Sequence, residues 1–498
     1  MGWFKEMATK VAVKWLDVQP AIEKQVTIRE SLSHSGQTMC NRILYRGDPS
    51  ELEQFFKGCA TNKVTQSRFW ASVPSDDLNV RKFHSGLPAI AIDKLTDIVV
   101  ADLDQIEVDK DLSETWEEIS KDNKFIKLIE ESIKETLIVG DGAFKITMDT
   151  TITPYPIIEF YGGERVDYVI KRGRLFEVLF YTPYTKGNKK YTLVEIFGKG
   201  YITNKLYQDG KEVPLQTLEE TKDLVDVTYN SQFIMAIPMM FFKSPKFDSR
   251  GKGLFDTKID SSDALDEVIS QWIDAIRRGR VKEYFPEEML PKNPMTGEVM
   301  KPNSFDNQFI AYKGGMAEDN KNQIVLQQPD IKHTAYIESY ANAVDMLLQG
   351  VISPSTLGID LKKTDNAEAQ REKEKTTLYM RGKIIDVLNE IIPHVIDVVL
   401  KVYELSQNKI PLEHQVTIGF GEYASPDFDT VVDTVGKARS FGIMSIEKAV
   451  AELYGDAMSD EEKLQEVKLI KEQNGMLEAE EPKVHDDPDE YGDDLDVE

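Results

Sequence analysis

Apolar positions recur at helical spacing in two segments of equal length in the middle of the chain. In the first segment, Asp263–Arg280, apolar residues return every three or four positions, and His333–Gly350 repeats this pattern. Each segment has 18 residues. As helices, both would be about 27 Å long, because a helix rises 1.5 Å per residue. We therefore predict an antiparallel pair in which neither helix extends far beyond the other.

A long interruption separates the two segments. It spans 52 residues, Val281–Lys332, and contains five prolines. A connection of that length without order of its own is uncommon in a compact chain, so we expect a small subdomain. Gln308–Tyr312 and Gln323–Gln327 are predicted to be its two strands, joined through Gly314, Gly315 and a polar turn.

The second amphipathic segment is followed by a loop and then by a long charged helix. The loop ends in Lys362 and Lys363. Asp365 and Glu368 form a capping-box pattern that opens the helix. Its later half is apolar and leads into Pro393, where we expect a kink.

The first residues of the chain are predicted to form an amphipathic helix. Trp3, Met7, Val11 and Trp15 form one apolar stripe, and the helix also carries three lysines. Such a helix either packs against its own or a neighbouring subunit, or lies on a membrane surface. Packing is favoured, because the segment lacks both the apolar core of a signal peptide and a complete myristoylation motif.

Two further helices, Pro88–Leu103 and Asn123–Val139, are predicted from their apolar spacing. An acidic string from Asp102 to Asp111 lies between them. A calcium loop would explain the acids, but Glu107 stands where an EF-hand loop needs glycine. The pattern therefore favours a solvated acidic loop without a metal.

A run of short apolar segments with turns between them comes next. Close spacing with tight turns predicts an antiparallel meander. The predicted strands are Ala143–Met148, Val166–Ile170, Leu175–Tyr181, Tyr191–Phe197 and Tyr201–Tyr207. The turn glycines would also suit phosphate loops. However, the pairs Gly198-Lys199 and Gly251-Lys252 are each followed by glycine rather than Ser or Thr, so neither is a P-loop.

The C-terminal part is predicted to contain two more helices and a tail. The helices are Ser445–Leu453 and Asp460–Gln473, which end at Gly455 and Gly475. The last 22 residues, Leu477–Glu498, contain eleven acids and one lysine. A segment this polar cannot bury a core, so we expect the tail to be disordered.

The order of these features resembles that of the portal protein of tailed double-stranded DNA phages, in the form found in Gram-positive siphophages. The resemblance runs from Met1-Gly-Trp-Phe to about Gly475 and is strongest around Ile359-Asp-Leu-Lys-Lys and Ala367-Glu-Ala-Gln-Arg-Glu-Lys. Gly442-Ile-Met-Ser is similar to the closing region of such portals. The resemblance implies an elongated, multi-part α+β fold with an antiparallel β wing, a two-helix stem, a small α/β clip, a long kinked helix and a helical crown.

The resemblance also divides the chain into regions. The regions that it implies are a wing at 1–259, stem helices at 260–280 and 333–351, a clip at 281–332, a tunnel loop at 352–364, a long kinked helix with a return to the wing at 365–440, a crown at 441–476 and a disordered acidic tail at 477–498.

A portal subunit forms a homo-oligomeric ring, dodecameric by family expectation, through which double-stranded DNA enters and leaves the capsid. The other partners that the resemblance implies are the terminase large subunit, a head-completion or adaptor protein, and the major capsid and scaffold proteins. No membrane partner is expected. The implied location is the capsid vertex of the virion, and the host cytoplasm during assembly.

The charge of the chain limits how it can hold DNA. Its formal net charge is -26, of which the last 22 residues supply -10 and the remainder -16. A body this acidic is not built to bind DNA tightly, but loose contact suits a channel in which DNA slides. The candidate DNA-facing residues are Lys362 and Lys363 in the tunnel loop, and Arg277, Arg278, Arg280 and Lys282 at the end of the first stem helix.

An explanation without DNA is open for both groups. Cations near the C-terminal end of a helix also offset the helix dipole. Lysines in a loop can simply be solvated.

No motif for catalysis or cofactor binding accompanies these features. Cys40 and Cys59 have neither CxxC spacing nor a nearby histidine pair, and the six histidines are scattered. The longest apolar run, Phe233–Phe242, is too short to cross a membrane. We expect no catalytic residue, no metal, no cofactor and no transmembrane segment, so the energy that moves DNA would come from a partner.

Two other functions stay open at this point. A scaffold or adaptor protein would not need to close a ring around a pore. A DNA-processing enzyme of the packaging machinery would need an ATP-binding loop or a metal-binding acidic cluster, and the sequence offers neither.

Overall fold

The computed structural model describes residues 32–73, 80–279, 282–286, 292–298, 309–312, 325–327, 331–359, 367–421, 428–454 and 460–473. The chain divides into two compact units, residues 1–421 and 422–498. Both helices and strands contribute to it, which agrees with the predicted α+β class. The predicted N-terminal amphipathic helix and the acidic tail lie outside the described residues.

Three helices that the sequence pattern did not predict come first. They are α1 (His34–Arg46), α2 (Pro49–Gly58) and α3 (Lys63–Gln66). Ser33, Asp48 and Asn62 cap them, because each side chain accepts a hydrogen bond from a backbone N–H of the first turn. Helices α1 and α2 share a small buried cluster that includes Leu52 and Trp70.

Of the next three helices, the first and the third occur close to the predicted positions, whereas the second was not predicted. They are α4 (Leu87–Ala101), α5 (Ser113–Asp122) and α6 (Phe125–Val139). The apolar stripe of α6 is buried as predicted, since Phe125, Ile129, Ile133 and Leu137 are each 1% exposed. This stripe is part of the main hydrophobic core of the first unit.

The acidic string after α4 is not the predicted solvated loop. Leu103–Val108 forms strand β1, which pairs antiparallel with Val416–Phe420. The prediction is wrong because Leu103, Ile106 and Val108, which lie between the acids, pack against the main core. The acid at the start of the string, Asp102, forms an ion pair with Arg381 at 2.6 Å.

A three-stranded antiparallel sheet follows α6. Its strands are β2 (Asp141–Met148), β3 (Pro156–Gly162) and β10 (Ala236–Met240), in the order β10-β2-β3. The first strand of the predicted meander therefore belongs to a separate sheet. Pro238 lies in β10, an edge strand, where its missing N–H costs no hydrogen bond within the sheet.

The remaining predicted strands do form an antiparallel meander. Its strands are β4 (Val166–Lys171), β5 (Arg174–Lys186), β6 (Lys189–Gly198), β7 (Tyr201–Gln208) and β8 (Lys211–Val213), in chain order, with β9 (Val227–Thr228) paired to β7. Val178, Phe180 and Phe197 join the main core. Leu193 and Leu206 belong to a smaller cluster of their own.

The two amphipathic segments form helices α7 (Ile259–Arg278) and α8 (His333–Leu348). Between them the structure describes three strands, β11 (Lys282–Pro286), β12 (Phe309–Tyr312) and β13 (Val325–Gln327). The two predicted strands are present as β12 and β13, but they do not pair with each other. Strand β11 lies between them, parallel to β12 and antiparallel to β13. Its aromatic pair, Tyr284 and Phe285, has high strand propensity that the surrounding prolines obscured.

The long helix α9 (Ala367–Ser406) has 40 residues and runs through the main core. Leu388, Ile392, Val395 and Val399 are at most 1% exposed. Pro393 lies inside the helix and does not end it. After α9, Val416–Phe420 forms β14, the partner of β1.

The second unit consists, within its described residues, of three helices. They are α10 (Phe428–Ser440), α11 (Ile446–Tyr454) and α12 (Asp460–Gln473). The last two match the prediction, whereas α10 was not predicted. Ile446, Val450 and Val467 form the core shared by α11 and α12, and Glu447 forms an ion pair with Lys471 at 2.7 Å.

Candidate nucleic-acid interface

The structure describes part of the predicted DNA-facing set. Lys362, Lys363 and Arg280 lie outside the described residues. Arg277 and Arg278 occupy the last turn of α7, and Lys282 is the first residue of β11. The described members therefore lie where α7 leads into the inserted strands.

The charge of this helix end is partly neutralised. The Nε atom of Arg278 donates to Oδ2 of Asp274, one turn earlier, at 2.6 Å. Arg277 also has an interaction partner. Both arginines lie where a cation offsets the helix dipole. Their position is thus explained without DNA, and a DNA contact stays a proposal.

The N-terminal half of α7 is anchored by a buried carboxylate, that of Asp266. This carboxylate is 0% exposed and accepts hydrogen bonds from Nε1 of Trp70 at 3.0 Å, from Nδ1 of His84 at 2.7 Å and from the amide of Ser85 at 2.9 Å. The other ring nitrogen of His84 lies 3.2 Å from the carbonyl oxygen of Leu44. The ring of His84 is thus held from both of its nitrogens.

Two more polar side chains of α7 hold the same segment. The amides of Phe69 and Trp70 donate to Asp263 at 2.8 and 3.1 Å. Burial raises the pKa of Asp263, although these two hydrogen bonds oppose the rise. Ser270 accepts a hydrogen bond from the amide of Phe83 at 2.9 Å. The three anchoring residues follow one another at three- and four-residue spacing, so they lie on one face of α7.

The C-terminal half of α7 packs against α8 through aromatic rings. The rings of Trp272 and Tyr336 are stacked, with centroids 6.4 Å apart and an interplanar angle of 2°, and Tyr340 lies 6.3 Å from Trp272. At the other end, Nζ of Lys258 donates to the carbonyl oxygen of Met346 at 2.8 Å. The start of α7 therefore meets the end of α8, which confirms the predicted antiparallel packing.

The loop after α8 is fixed where it begins. The amide of Ser353 donates to Oγ1 of Thr377 in α9 at 3.0 Å. The hydroxyls of Thr356 and Thr377 are hydrogen-bonded at 2.9 Å. The loop then forms one 3-10 turn, Pro354–Leu357, which ends at Gly358. The hydroxyl groups thus tie the start of the predicted tunnel loop to the long helix.

A cleft of about 690 Å³ lies beside this anchor, between the last turn of α8 and Thr376 of α9. Asp345 is the charged residue among those that line it.

The structure offers a packing role for the glycines that were weighed as phosphate loops. Gly251 lies against the backbone of Gly140, where an added Cβ would collide with the carbonyl group. Gly198 lies under the ring of Tyr201 in the β6–β7 hairpin. These glycines allow close approach of the chain, and neither stands directly before a helix.

The described residues show neither a metal centre nor a membrane span. Within that part of the chain, no group of three or more His, Cys, Asp or Glu side chains could hold a metal ion, and no helix is both long and apolar enough to cross a bilayer.

The pKa of His34 is lowered to about 4, first by burial and then by Arg250. Burial also lowers the pKa of His394.

Sequence reasoning missed the anchoring residues of α7. Asp263, Asp266 and Ser270 interrupt the apolar pattern of that helix. They follow one another at three- and four-residue spacing, so they lie on one face of the helix. Polar residues at this spacing were the available signal for a buried polar anchor.

Comparison with known proteins finds remote structural similarity. No family model and no curated protein matches the chain. Among solved structures, the chain is similar to one from the neck of the native GTA particle computed with C12 symmetry, with 12% identity and a TM-score of 0.33 over 79% of this chain and 93% of that chain. For the neck of the empty GTA particle computed with C6 symmetry, the identity is 13% and the TM-score 0.36 over 79% and 93%. For the virion of the native gene transfer agent (GTA) particle, the identity is 13% and the TM-score 0.33, over 76% of this chain and 89% of that chain. TM-scores this low do not establish a common fold.

Proposed function

We propose that the chain is the subunit of a portal-type ring that encloses a channel for double-stranded DNA. The observation that carries the proposal is the antiparallel α7–α8 pair with a strand module inserted between its helices. An anchored loop and the 40-residue helix α9 follow it. This order corresponds to the stem, clip, tunnel loop and long helix that the resemblance implies.

The anchoring of α7 suits a channel wall. Its N-terminal half is held by the buried carboxylates of Asp263 and Asp266, and its C-terminal half by the ring of Trp272. A helix that is fixed along both halves resists displacement when a polymer moves past it, because bending it would break buried hydrogen bonds. The same anchoring would not be needed for a flexible adaptor.

The tunnel loop would supply the DNA contact in this proposal. Lys362 and Lys363 lie in sequence between Ser353 and Thr377, the two residues of the anchor. One copy from each subunit of a ring would surround the duplex and touch phosphates without reading base sequence. The net charge of -26 keeps such contact weak, which allows DNA to slide. Arg277, Arg278, Arg280 and Lys282 are the second proposed contact group.

The proposed partners follow from the regions. Residues 281–332 would dock the terminase large subunit and later a head-completion or adaptor protein, and the wing and crown would contact capsid and scaffold proteins. The subunit would act in the host cytoplasm during assembly and at the capsid vertex in the virion. It would not be an enzyme, and the ring would contain twelve copies by family expectation.

Native mass spectrometry of the purified protein under capsid-assembly conditions tests the proposal. We expect a closed oligomer whose mass is a multiple of 56.6 kDa, with about twelve copies. A monomer or dimer under those conditions would instead favour a scaffold or adaptor that encloses no pore.

A further inference from the structure

The hairpin between β4 and β5 ends in a cationic tip that the proposed channel does not use. Its turn has the sequence Lys171-Arg172-Gly173-Arg174, and all four residues are exposed. Within the described part of the chain, none of the three cations forms an ion pair. Three positive charges therefore stand together without acidic partners in a chain whose net charge is -26.

The nearest acids along the two strands are already engaged. On β5, Glu177 accepts a hydrogen bond from the hydroxyl of Tyr201. On β4, Asp167 forms an ion pair with Nη1 of Arg250 at 3.0 Å. The charge of the tip is thus left available to a ligand from outside the chain.

The backbone of the turn makes an arginine at its first position unexpected. Arg172 has φ of 52° and Gly173 has φ of 75°, as in a two-residue type I′ turn. The first position of that turn favours Asn, Asp or Gly, because other residues are strained at positive φ. The β7–β8 hairpin of the same sheet follows the rule with Asp209 and Gly210. An arginine kept in an unfavourable backbone conformation points to a role for its side chain.

A bulge next to the turn arranges an aromatic ring beside the cations. The register of β4 and β5 shifts between Val169 and Ile170, which leaves Phe176 as the extra residue. The ring of Phe176 is partly exposed, and Nζ of Lys171 lies 3.1 Å from its centroid. Lys199, in the β6–β7 turn, lies at the same end of the sheet and is also exposed.

We propose that this tip binds the phosphate backbone of double-stranded nucleic acid, at a site separate from the channel loop. Arginine forks recognise phosphate through paired hydrogen bonds, and the major groove admits a two-stranded β-ribbon. The proposed contacts are to phosphates rather than to base edges, so binding is independent of base sequence. At physiological salt, acidic residues more than about 8 Å from a bound phosphate repel it only weakly, because their charge is screened. Binding therefore depends on the three cations of the tip.

The test is fluorescence anisotropy of a labelled random-sequence duplex with the full-length protein, measured across a series of salt concentrations. The tip variant is Lys171→Ala with Arg172→Asn and Arg174→Ala, in which asparagine suits the positive φ of the turn. The control variant is Lys189→Ala with Lys190→Ala and Lys211→Ala. It removes the same charge from exposed positions at the opposite end of the same sheet.

We expect the tip variant to bind at least about tenfold more weakly at low salt. The slope of log affinity against log salt should become shallower by about 3, one for each lost phosphate contact. The control variant should retain the wild-type slope. Neither variant should have a thermal midpoint below that of the wild type, since the substituted side chains are exposed and asparagine suits the turn.

Equal losses in the two variants would overturn the proposal, because they would reflect net charge rather than the tip. No loss in the tip variant would overturn it as well. Displacement of the duplex by a polyglutamate peptide at equal charge concentration would assign the tip to an acidic protein segment instead. The site belongs to a single subunit, so these outcomes do not depend on whether the ring forms or on Lys362 and Lys363.

Discussion

Replacement of Asp266 by alanine should destabilise the first unit strongly. The carboxylate is 0% exposed and accepts hydrogen bonds from Trp70, His84 and Ser85. Alanine would leave these donors buried without a partner, at a cost of about 1–3 kcal/mol for each unsatisfied group. Three donors lose their acceptor together and part of the loss is relieved by local rearrangement, so we expect the free energy of unfolding to fall by about 3–5 kcal/mol in total.

Asp274→Ala is the matched control for this prediction. It makes the same chemical change in the same helix, but it removes a surface ion pair with Arg278, which is worth about 0.2–1 kcal/mol. Urea unfolding followed by tryptophan fluorescence measures both variants, since Trp70 is almost fully buried beside the anchor. Amide hydrogen exchange at Ser85 should also become faster in Asp266→Ala.

A difference of less than about 1 kcal/mol between the two variants, together with unchanged exchange at Ser85, would refute the anchoring of α7. The hydrogen bonds to the carboxylate would then not hold the helix in place.

Three further predictions concern pH, helix packing and DNA. Burial raises the pKa of Asp256 from 3.8 to about 6, so its contribution to stability is present below pH 3.8 and is lost as the pH rises through 6. Asp256→Asn should therefore flatten the decline of the thermal midpoint over this pH range, and an unchanged decline would count against a buried carboxyl. Trp272→Ala should lower the free energy of unfolding by about 1–3 kcal/mol, as judged by urea unfolding. Trp272→Phe, which keeps a ring against Tyr336, should lose less, and equal losses would argue against the stacked contact. Lys362→Ala with Lys363→Ala should reduce DNA packaging and retention in assembled particles, and unchanged values for both would remove these lysines from the channel.

Periodicity predicted those elements whose burial is decided locally. The stripes of α6 and α7 repeat every three or four residues, and a stripe of that spacing can be buried only as a helix. The same reasoning could not predict which residues anchor α7. Asp266 binds residues that are 181 to 196 positions away in the chain, and no local pattern records a partner at that distance.

Strand pairing shows the same limit. The turn signals predicted the hairpins from β4 to β7, because a tight turn fixes the neighbouring strand. They did not predict that β2 pairs with β3 and β10. The acids around Leu103 and Ile106 likewise made the segment look like a loop. It is a strand, and its partner β14 is more than 300 residues later in the sequence. The missed pairings join distant segments, which tertiary packing selects rather than local sequence.

The location of the candidate site was predictable only in outline. The sequence indicated that α7 and α8 pack together and that basic residues follow them, and the stacked ring of Trp272 agrees with the first expectation. The ion pair of Arg278 with Asp274 was not predicted. It could have been, because opposite charges four positions apart commonly pair on helices.

Cryo-electron microscopy of the oligomer formed by the full-length protein tests the ring directly. The proposed function predicts a closed ring in which the α7–α8 pair of every subunit borders one central passage wide enough for duplex DNA. An oligomer in which these helix pairs lie away from the axis, or in which no central passage exists, would contradict it.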